Sequence, residues 1–246
     1  MNLGARSATR HAIDAIFRLH GSPDAPKLCY HLMIIYAVGD IHGRADLLLK
    51  LQAKIKNHAV ANPGPKKIVF LGDYVDRGPD SAQVIDILMK GPPPGVDEQV
   101  CLRGNHEQMM LDANRRWNWL ASWYMNGGLA TKHSYDGDDK RLQDHLAWID
   151  TLPMFHREGR YLFVHAGIVP GRDIAKQRPS DLIWIRHQFL DDQRDHGFTV
   201  VHGHTPVRKG PDVRPNRINV DTGAVYGGPL TCAVLTDRAP TFMFAR

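Results

Sequence analysis

Five short apolar runs along the chain each end in a cluster of glycine, histidine or acidic residues, and this repetition limits the fold more than any other feature. The runs are rich in β-branched and aromatic residues, which is typical of strands. They span Met33–Val38, Lys67–Leu71, Gln99–Leu102, Tyr161–Val164 and Phe198–Val201, and two further strand-like runs cover 217–220 and 230–235.

Helical patterns lie between the first strand-like runs. Residues 45–58 place Leu47, Leu48, Leu51 and Ile55 at helical spacing, and 81–89 repeats the pattern. Strands that alternate with helices predict a layered α/β fold, in which returning chain connections bring strand ends to one edge.

The clusters after the runs carry side chains that bind divalent metals. They read GDIHG from 39, GDYVDRG from 72, RGNHE from 103, HAG from 165 and HGHT from 202. Ligands gather at the carboxyl ends of strands in such folds. We therefore expect one site built from a mixed set of oxygen and nitrogen donors, suited to Mn, Fe or Zn rather than Ca. The candidates are Asp40, His42, Asp73, Asn105, His165 and either His202 or His204.

Such a set points to phosphoester hydrolysis. Asp73 offers a carboxylate that can bridge two ions. Two ions about 3.5–4 Å apart that share a carboxylate and a water can acidify that water for direct attack on phosphorus. No covalent nucleophile is then required.

Domain organisation follows from breaks in this pattern. Residues 1–32 carry a Gly and Pro breaker cluster and are expected to be an N-terminal tail, either disordered or upstream of a natural start at Met33. Residues 33–246 form the predicted domain. Within it, 108–154 interrupts the alternation with aromatic and basic helical sequence and is predicted to be an inserted helical cap. Its Trp117, Trp119 and Trp123 are expected to pack on their own domain.

The composition indicates the cellular compartment and argues against nucleic-acid and membrane partners. Three cysteines without metal-type spacing favour a reducing compartment, and a cytoplasmic location is predicted. A net charge of +5 without a dense run of Lys and Arg does not call for a nucleic-acid partner. No apolar stretch approaches the roughly 20 residues of a membrane span, so no membrane partner is expected. The oligomeric state leaves no pattern in the sequence.

The series GDIHG, GDYVDRG, RGNHE, HAG and GHTP resembles the phosphoprotein phosphatase family of calcineurin-like metallophosphoesterases, in its bacterial and phage serine/threonine phosphatase branch. This resemblance implies a metallophosphoesterase β-sandwich flanked by helices, with two divalent ions, Mn²⁺ first and Fe or Zn as alternatives. It implies that one ion is held by Asp40, His42 and Asp73, and the other by Asp73, Asn105, His165 and His204. The match to GHT selects His204 and leaves His202 as a buried residue at a strand end.

The same resemblance implies the remaining roles. His106 would be the general acid and Asp76 the carboxylate that orients it, while Arg77, Arg186 and Asn105 would hold the substrate phosphate. A positioned imidazolium contributes about 10² to 10⁴ in rate when the leaving group is poor. The planar fork of arginine suits phosphate oxygens.

The resemblance leaves the substrate open. A protein serine/threonine phosphatase, with tyrosine phosphate as a further substrate, is the first interpretation, because GDYVDRG is typical of that branch. Symmetrical diadenosine tetraphosphate hydrolases share GDIHG, RGNHE and the NGG at 126 and are the alternative. The third interpretation is a binding module that recognises phosphorylated partners without hydrolysing them, although such proteins generally lose a ligand or the acid.

Overall fold

The computed structural model of the protein describes residues 33–246, and the predicted tail over 1–32 lies outside the described residues. Within the described range, no helix combines the length and apolar character needed to cross a membrane.

The first sheet places three parallel strands side by side, β1 (Ile34–Val38), β2 (Lys66–Phe70) and β3 (Glu98–Cys101). Two antiparallel strands, β9 (Leu230–Leu235) and β10 (Thr241–Ala245), extend it beyond β1, giving the order β10-β9-β1-β2-β3. Val38 pairs with Phe70, and Phe70 pairs with Cys101. The carboxyl ends of the three parallel strands are therefore level, and the chain leaves each of them at the same edge.

The second sheet also has five strands, β4 Phe155–Glu158, β5 Tyr161–Val164, β6 Thr199–His202, β7 Asp212–Val213 and β8 Arg217–Asn219. They lie in the order β4-β5-β6-β8-β7. The parallel strands β5, β6 and β8 are flanked by the antiparallel edge strands β4 and β7.

Helices cover the outer faces of both sheets. The longest, α1 (Ala45–Ala61), buries Leu47, Leu48, Leu51 and Ile55, as their spacing predicts. The others are α2 Ser81–Met89, α3 Asn105–Arg115, α4 Leu120–Trp123, α5 Leu129–Ser134, α6 Asp139–Asp150, α7 Pro179–Trp184 and α8 His187–Leu190. Short 3-10 turns occupy Trp117–Trp119, Ile174–Lys176 and Ala224–Tyr226, and a π-helical turn occupies Tyr124–Gly128.

Side chains alternate along β1 between two cores, because successive residues of a strand point to opposite faces. Ile35 and Ala37 pack between the sheets with Phe163 and Val201. Tyr36 and Val38 pack against the helices of the first sheet. A third cluster joins the second sheet to α7 and α8 through Leu162, Leu182 and Phe189. The protein is thus an α/β sandwich flanked by helices, and this prediction is confirmed.

Residues 108–154, the predicted cap, contain most of α3 and all of α4, α5 and α6, but their tryptophans differ from the expectation. Trp123 is buried at 4% exposure. Trp117 is 88% exposed and Trp119 is 42% exposed, so the prediction that they pack on their own domain is wrong for these two. The strands β4, β7 and β10 were also absent from the predicted set.

Candidate metal centre

Side chains from five strand-end turns converge where the carboxyl ends of the two sheets meet. Each of the six candidate ligands is buried, with 5% exposure or less. They follow β1, β2, β3, β5 and β6 and are Asp40, His42, Asp73, Asn105, His165 and His204. The structure therefore brings together the residues that the sequence pattern selected.

Asp73 lies between two groups of potential ligands. Its Oδ2 is 3.5 Å from His42 Nε2, and its Oδ1 is 3.3 Å from His165 Nε2. Ligand atoms within 4.8 Å of one another form one group of His42, Asp73 and His106 and a second of Asp73, His165 and His204. One carboxylate is thus shared by two clusters, which is the arrangement that a bridging ligand requires.

His42 and His165 turn their Nε2 atoms toward this space. Nδ1 of His42 donates to the carbonyl of Val75 at 2.8 Å, and Nδ1 of His165 donates to that of Leu71 at 2.9 Å. The proton of each ring is therefore placed on the nitrogen that faces away, as is usual for metal-binding histidines. The Nε2 of His42 in turn accepts from the Arg77 guanidinium.

Asn105 and His204 complete the second cluster. The Oδ1 of Asn105 lies 2.9 Å from His165 Nε2 and 2.9 Å from His204 Nδ1. The Nε2 of His204 is buried and finds no hydrogen-bond partner among residues 33–246. It is the other ring nitrogen, Nδ1, that lies beside the Asn105 oxygen. Imidazole nitrogens grouped in this way with carboxylate and amide oxygens fit a divalent cation of the Mn, Fe or Zn type.

The buried carboxylates of Asp73, Asp40 and Glu107 favour a positive charge in the site. Burial opposes a charge on His165, but Asp73, Asp40 and Glu107 outweigh it and raise the pKa of His165 to about 10. Burial likewise works against the charge of Asp73, yet the facing His165 and His106 hold the pKa of this carboxyl well below its usual range. The same carboxylates would stabilise a bound divalent cation.

Asp40 reaches the cluster beside a carboxylate that sequence reasoning missed, Asp221. Burial first, and then the charge of Asp221, raise the pKa of Asp40 well above its ordinary value. The backbone N–H of His204 donates to both oxygens of Asp40, at 3.1 and 3.3 Å. Gly203 permits this approach, because a Cβ there would lie 2.1 Å from Asp40 Oδ1.

An imidazole and carboxylate pair lies directly beside the cluster. The Nδ1 of His106 donates to Asp76 Oδ2 at 2.7 Å, and both side chains are at most 1% exposed. The Nε2 of His106 lies 4.0 Å from Asp73 Oδ2. The free ring nitrogen of the pair therefore faces the space that the candidate ligands surround.

The two arginines selected from the sequence differ in position. The Arg77 Nη1 lies 2.5 Å from His42 Nε2, and its guanidinium lies 5.6 Å from the ring centroid of Tyr226. Arg186 is exposed. Burial is the main cause that lowers the pKa of His204 to about 2, and the charges of His165 and Arg186 add to the shift. Arg77 thus touches the cluster, whereas Arg186 acts on it through its charge.

His202 and His204 lie on different sides of their turn. The ring of His202 packs edge-on against Phe189, with centroids 5.2 Å apart, and burial lowers its pKa to about 3. His204 faces His165 instead, with centroids 5.1 Å apart. This geometry agrees with the assignment of His202 as a buried residue at a strand end.

The backbone of these turns is held in a left-handed conformation that costs roughly 1–2 kcal/mol for each non-glycine residue. Among the described residues, six non-glycine positions have positive φ, and five of them belong to the site. They are His42 (46°), Asp73 (56°), Asp76 (72°), Arg77 (71°) and His204 (66°). Strain concentrated in this way is typical of functional sites.

Glu107, whose role sequence reasoning missed, holds the strained turns in place. Its carboxylate accepts the backbone N–H groups of Asp73 (2.8 Å), Tyr74 (2.7 Å), Val75 (3.2 Å) and Gly104 (2.9 Å). Burial first, and then Asp73, raise its pKa to about 7. The available signal was its position in the first turn of α3, where a glutamate caps the helix start.

The similarity of this chain to known proteins covers most of the described residues. The calcineurin-like phosphoesterase family profile matches residues 33–235. Serine/threonine-protein phosphatase 1 of Salmonella typhimurium is 33% identical over 213 residues, which cover 81% of this chain and 90% of that protein. The asymmetrical bis(5'-nucleosyl)-tetraphosphatase PrpE of Anoxybacillus flavithermus is 28% identical over 226 residues, covering 81% and 89%.

A similar fold occurs in a Saccharomyces cerevisiae protein serine/threonine phosphatase with similarity to human phosphatase PP5. It superposes with a TM-score of 0.58 at 17% identity, over 88% of this chain and 80% of that one. At this identity the likeness concerns the fold alone.

Proposed function

Because the chain belongs to the calcineurin-like phosphoesterase family and is a phosphoester hydrolase, we propose that it removes phosphate from serine and threonine side chains of proteins. The observation that carries this proposal is the His106 and Asp76 pair beside the shared carboxylate of Asp73. A serine or threonine alkoxide is a poor leaving group, so its phosphomonoester gains most from a positioned acid. The 33% identity to a serine/threonine phosphatase supports the same choice.

The family uses two metal ions, and we assign their ligands as follows. Asp40, His42 and Asp73 hold one ion, and Asp73, Asn105, His165 and His204 hold the other. When bound, the two ions supply Lewis-acid activation of the attacking water and of the phosphate oxygens. The mixed donor set favours Mn²⁺, with Fe or Zn as alternatives.

The chain's own residues complete the reaction. His106 donates the proton on Nε2 to the leaving oxygen as the bond from that oxygen to phosphorus breaks. The Nδ1–H of His106 stays on the ring and donates to Asp76 Oδ2 in a hydrogen bond of 2.7 Å, which fixes the orientation of the ring. Arg77 and Arg186 bind phosphate oxygens, and the Asn105 amide lies close enough to the cluster to assist them.

A covalent cysteine route has no support in the described residues. Burial raises the pKa of the Cys101 thiol to about 12, and burial also raises that of Cys232. A thiol of this kind is inert as a nucleophile. These cysteines, with no disulfide between them, fit the proposed cytoplasmic location.

A dinucleotide substrate is the second candidate, because a tetraphosphatase is 28% identical to this chain. The sequence pointed to the symmetrical hydrolases, whereas this relative bears the name of the asymmetrical enzyme. A binding module without activity is the weakest candidate, since the sequence retains every proposed ligand and both residues of the proposed acid pair.

A substrate panel with Mn²⁺ tests the proposal. Phosphoserine, phosphothreonine and phosphotyrosine peptides, diadenosine tetraphosphate and p-nitrophenyl phosphate are compared by kcat/KM. We expect the phosphoserine and phosphothreonine peptides to exceed the dinucleotide by about tenfold or more, which corresponds to about 1.4 kcal/mol in the barrier. Preferential cleavage of the dinucleotide would select the second candidate, and hydrolysis of neither would leave the binding module.

A further inference from the structure

The carboxylate of Asp76 receives hydrogen bonds from the cap as well as from His106. The indole Nε1 of Trp123 donates at 3.0 Å to each carboxylate oxygen. The hydroxyl of Thr131 donates to Oδ1 at 2.7 Å. Asp76 and Thr131 are fully buried, and Trp123 is 4% exposed. Two of the three side chains that bind this carboxylate therefore come from a segment more than 40 residues away in sequence.

The backbone at Asp76 and Arg77 is also held by the cap. The N–H of Asp76 donates to the Thr131 hydroxyl at 2.8 Å, and the N–H of Arg77 donates to the carbonyl of Gly127 at 3.1 Å. Both residues have left-handed φ values, 72° and 71°. An unusual conformation of this kind persists where surrounding contacts fix it.

The NGG turn of the cap, residues 126–128, packs so closely against Arg77 and Trp123 that its two glycines leave no room for a side chain. Gly127 has a φ of 103°, and a Cβ there would lie 2.7 Å from Arg77 Cγ. A Cβ at Gly128 would lie 2.4 Å from the Trp123 ring. The two glycines thus allow the cap backbone and Trp123 to approach the turn that carries Asp76.

We propose that Trp123, Gly127, Gly128 and Thr131 form a cap latch that positions the Asp76 carboxylate, and through it His106, for protonation of the leaving group. This inference rests on the proposed function. Trp123 and Thr131 are positioning residues, because they act through Asp76 and touch no reacting atom.

Asp76 needs these contacts because a carboxylate can rotate about its terminal torsion. The terminal torsion of aspartate is broad and roughly two-fold, so a single bond to His106 leaves its orientation poorly defined. With the Thr131 hydroxyl on Oδ1 and the indole across both oxygens, Oδ2 is aimed at His106 Nδ1. Residues that orient a reactive group in this way typically contribute about 10- to 100-fold, as they do around metal ligands.

A purely structural role for Trp123 is the competing explanation, since its ring also belongs to the core beside the first sheet. The dependence of kcat on the leaving group distinguishes the structural role from the positioning role. Loss of structure lowers the hydrolysis of all substrates alike, whereas loss of acid positioning affects poor leaving groups far more than good ones.

The test uses the full chain with Mn²⁺ and four variants, one of them a control. Trp123→Phe removes the indole N–H and keeps an aromatic ring. Thr131→Val removes the hydroxyl at nearly constant shape, and Thr131→Ser restores it. Trp117→Phe is the matched control, because that tryptophan is 88% exposed on the same cap.

We expect Trp123→Phe and Thr131→Val to lose about 10- to 100-fold in kcat on phenyl phosphate and on a phosphoserine peptide, but less than about threefold on p-nitrophenyl phosphate. Thr131→Ser and Trp117→Phe should keep the parental ratio between these substrates. An equal loss on all substrates, or no loss, would overturn the latch.

A second measurement needs no turnover and therefore separates this inference from the proposed function. In the parent, the Nδ1 proton of His106 should give a downfield, slowly exchanging NMR signal, because it is buried against Asp76. The signal should shift or exchange faster in Trp123→Phe and Thr131→Val and stay unchanged in Trp117→Phe. A parent that hydrolyses none of the substrates would contradict the proposed function alone, while an unmoved signal in every variant would contradict the latch.

Discussion

The strand-end turns (39–43, 72–78, 103–107, 165–167 and 202–205) and the cap meet at Asp76, yet they hold their side chains by different means. In the turns, left-handed residues and glycines in very close contact fix the backbone at the proposed ligands, three of which (His42, Asp73 and His204) have positive φ themselves. In the cap, side chains on short helices reach inward, as Trp123 does, while Trp117 and Met125 are each 88% exposed.

This difference bears on what each region can tolerate. A proposed ligand on a strained backbone cannot adjust its position easily. Small changes in the turns should therefore act directly on metal binding and turnover. The cap contacts the turn that carries Asp76 through a few inward side chains, and most of its surface should accept substitution. Four predictions test this contrast.

The largest effect is expected from Asp73→Asn. Asp73 lies within 3.5 Å of His42 and His165, and a neutral amide removes the negative charge that the two clusters share. Turnover of p-nitrophenyl phosphate should fall by about 10³-fold or more, because several kcal/mol of charge stabilisation are lost. Calorimetry should also show fewer than two bound Mn²⁺ ions per chain.

Asp136 provides the matched control for Asp73. It also has a left-handed φ, 49°, but it lies in a cap turn. Asp136→Asn should leave both turnover and ion stoichiometry unchanged, since asparagine tolerates this conformation. A comparable loss in both variants would break the contrast between turns and cap.

The next effect is expected from Gly203→Ala. The new Cβ would lie 2.1 Å from Asp40 Oδ1, so the carboxylate must move. Mn²⁺ affinity, measured by titration calorimetry, should fall by about 10- to 100-fold. In the cap, Gly137→Ala adds a Cβ that would meet no described atom within 4 Å. That variant should retain the parental affinity. An equal loss there would show that the effect of Gly203→Ala does not depend on the contact with Asp40.

Glu107→Gln should act on stability through the turns. The Glu107 carboxylate accepts four backbone N–H groups, and the amide nitrogen of glutamine cannot accept any of them. Leaving buried donors unpaired should lower the free energy of unfolding by about 1–2 kcal/mol, measured with urea. A change smaller than about 0.5 kcal/mol would mean that the turns hold their shape without this residue.

Much of the turn region could be predicted because its strands are continuous apolar runs with ligands next to them in sequence. The run Tyr161–Val164 and the strand coincide, and His165 follows it directly. The edge strand β4 escaped prediction because its sequence, FHRE, is only partly buried and lacks an apolar run. The two-residue β7 is too short to form a pattern.

The contacts of Glu107 and Trp123 could not be predicted, for a different physical reason. Glu107 bonds to N–H groups on the turn after a neighbouring strand, so its role depends on the order of β2 and β3 in the sheet. Trp123 bonds to Asp76, 47 residues away. The same aromatic and basic pattern includes the exposed Trp117, so local spacing did not distinguish the inward tryptophan from the outward one.

The smallest effect concerns how the cap is held in acid. Burial lowers the pKa of His145, whose ring lies 2.9 Å from Tyr135 Oη and 3.1 Å from Asp86 Oδ1. Because the folded pKa lies below the unfolded value of about 6.5, the unfolded chain takes up the proton first. This stabilisation is therefore fully present above the unfolded pKa and is lost as pH falls through the folded pKa.

Urea unfolding above and below neutral pH measures this loss. In His145→Gln, the free energy of unfolding should no longer show the part of its pH dependence that this ring causes. The difference from the parent should stay within about 1 kcal/mol, the size of one net hydrogen bond. His133→Gln, at an exposed cap position, should keep the parental pH dependence. If His145→Gln kept it as well, the groups responsible for the acid sensitivity would lie elsewhere in the protein, and the contact of His145 with Asp86 would not be one of them.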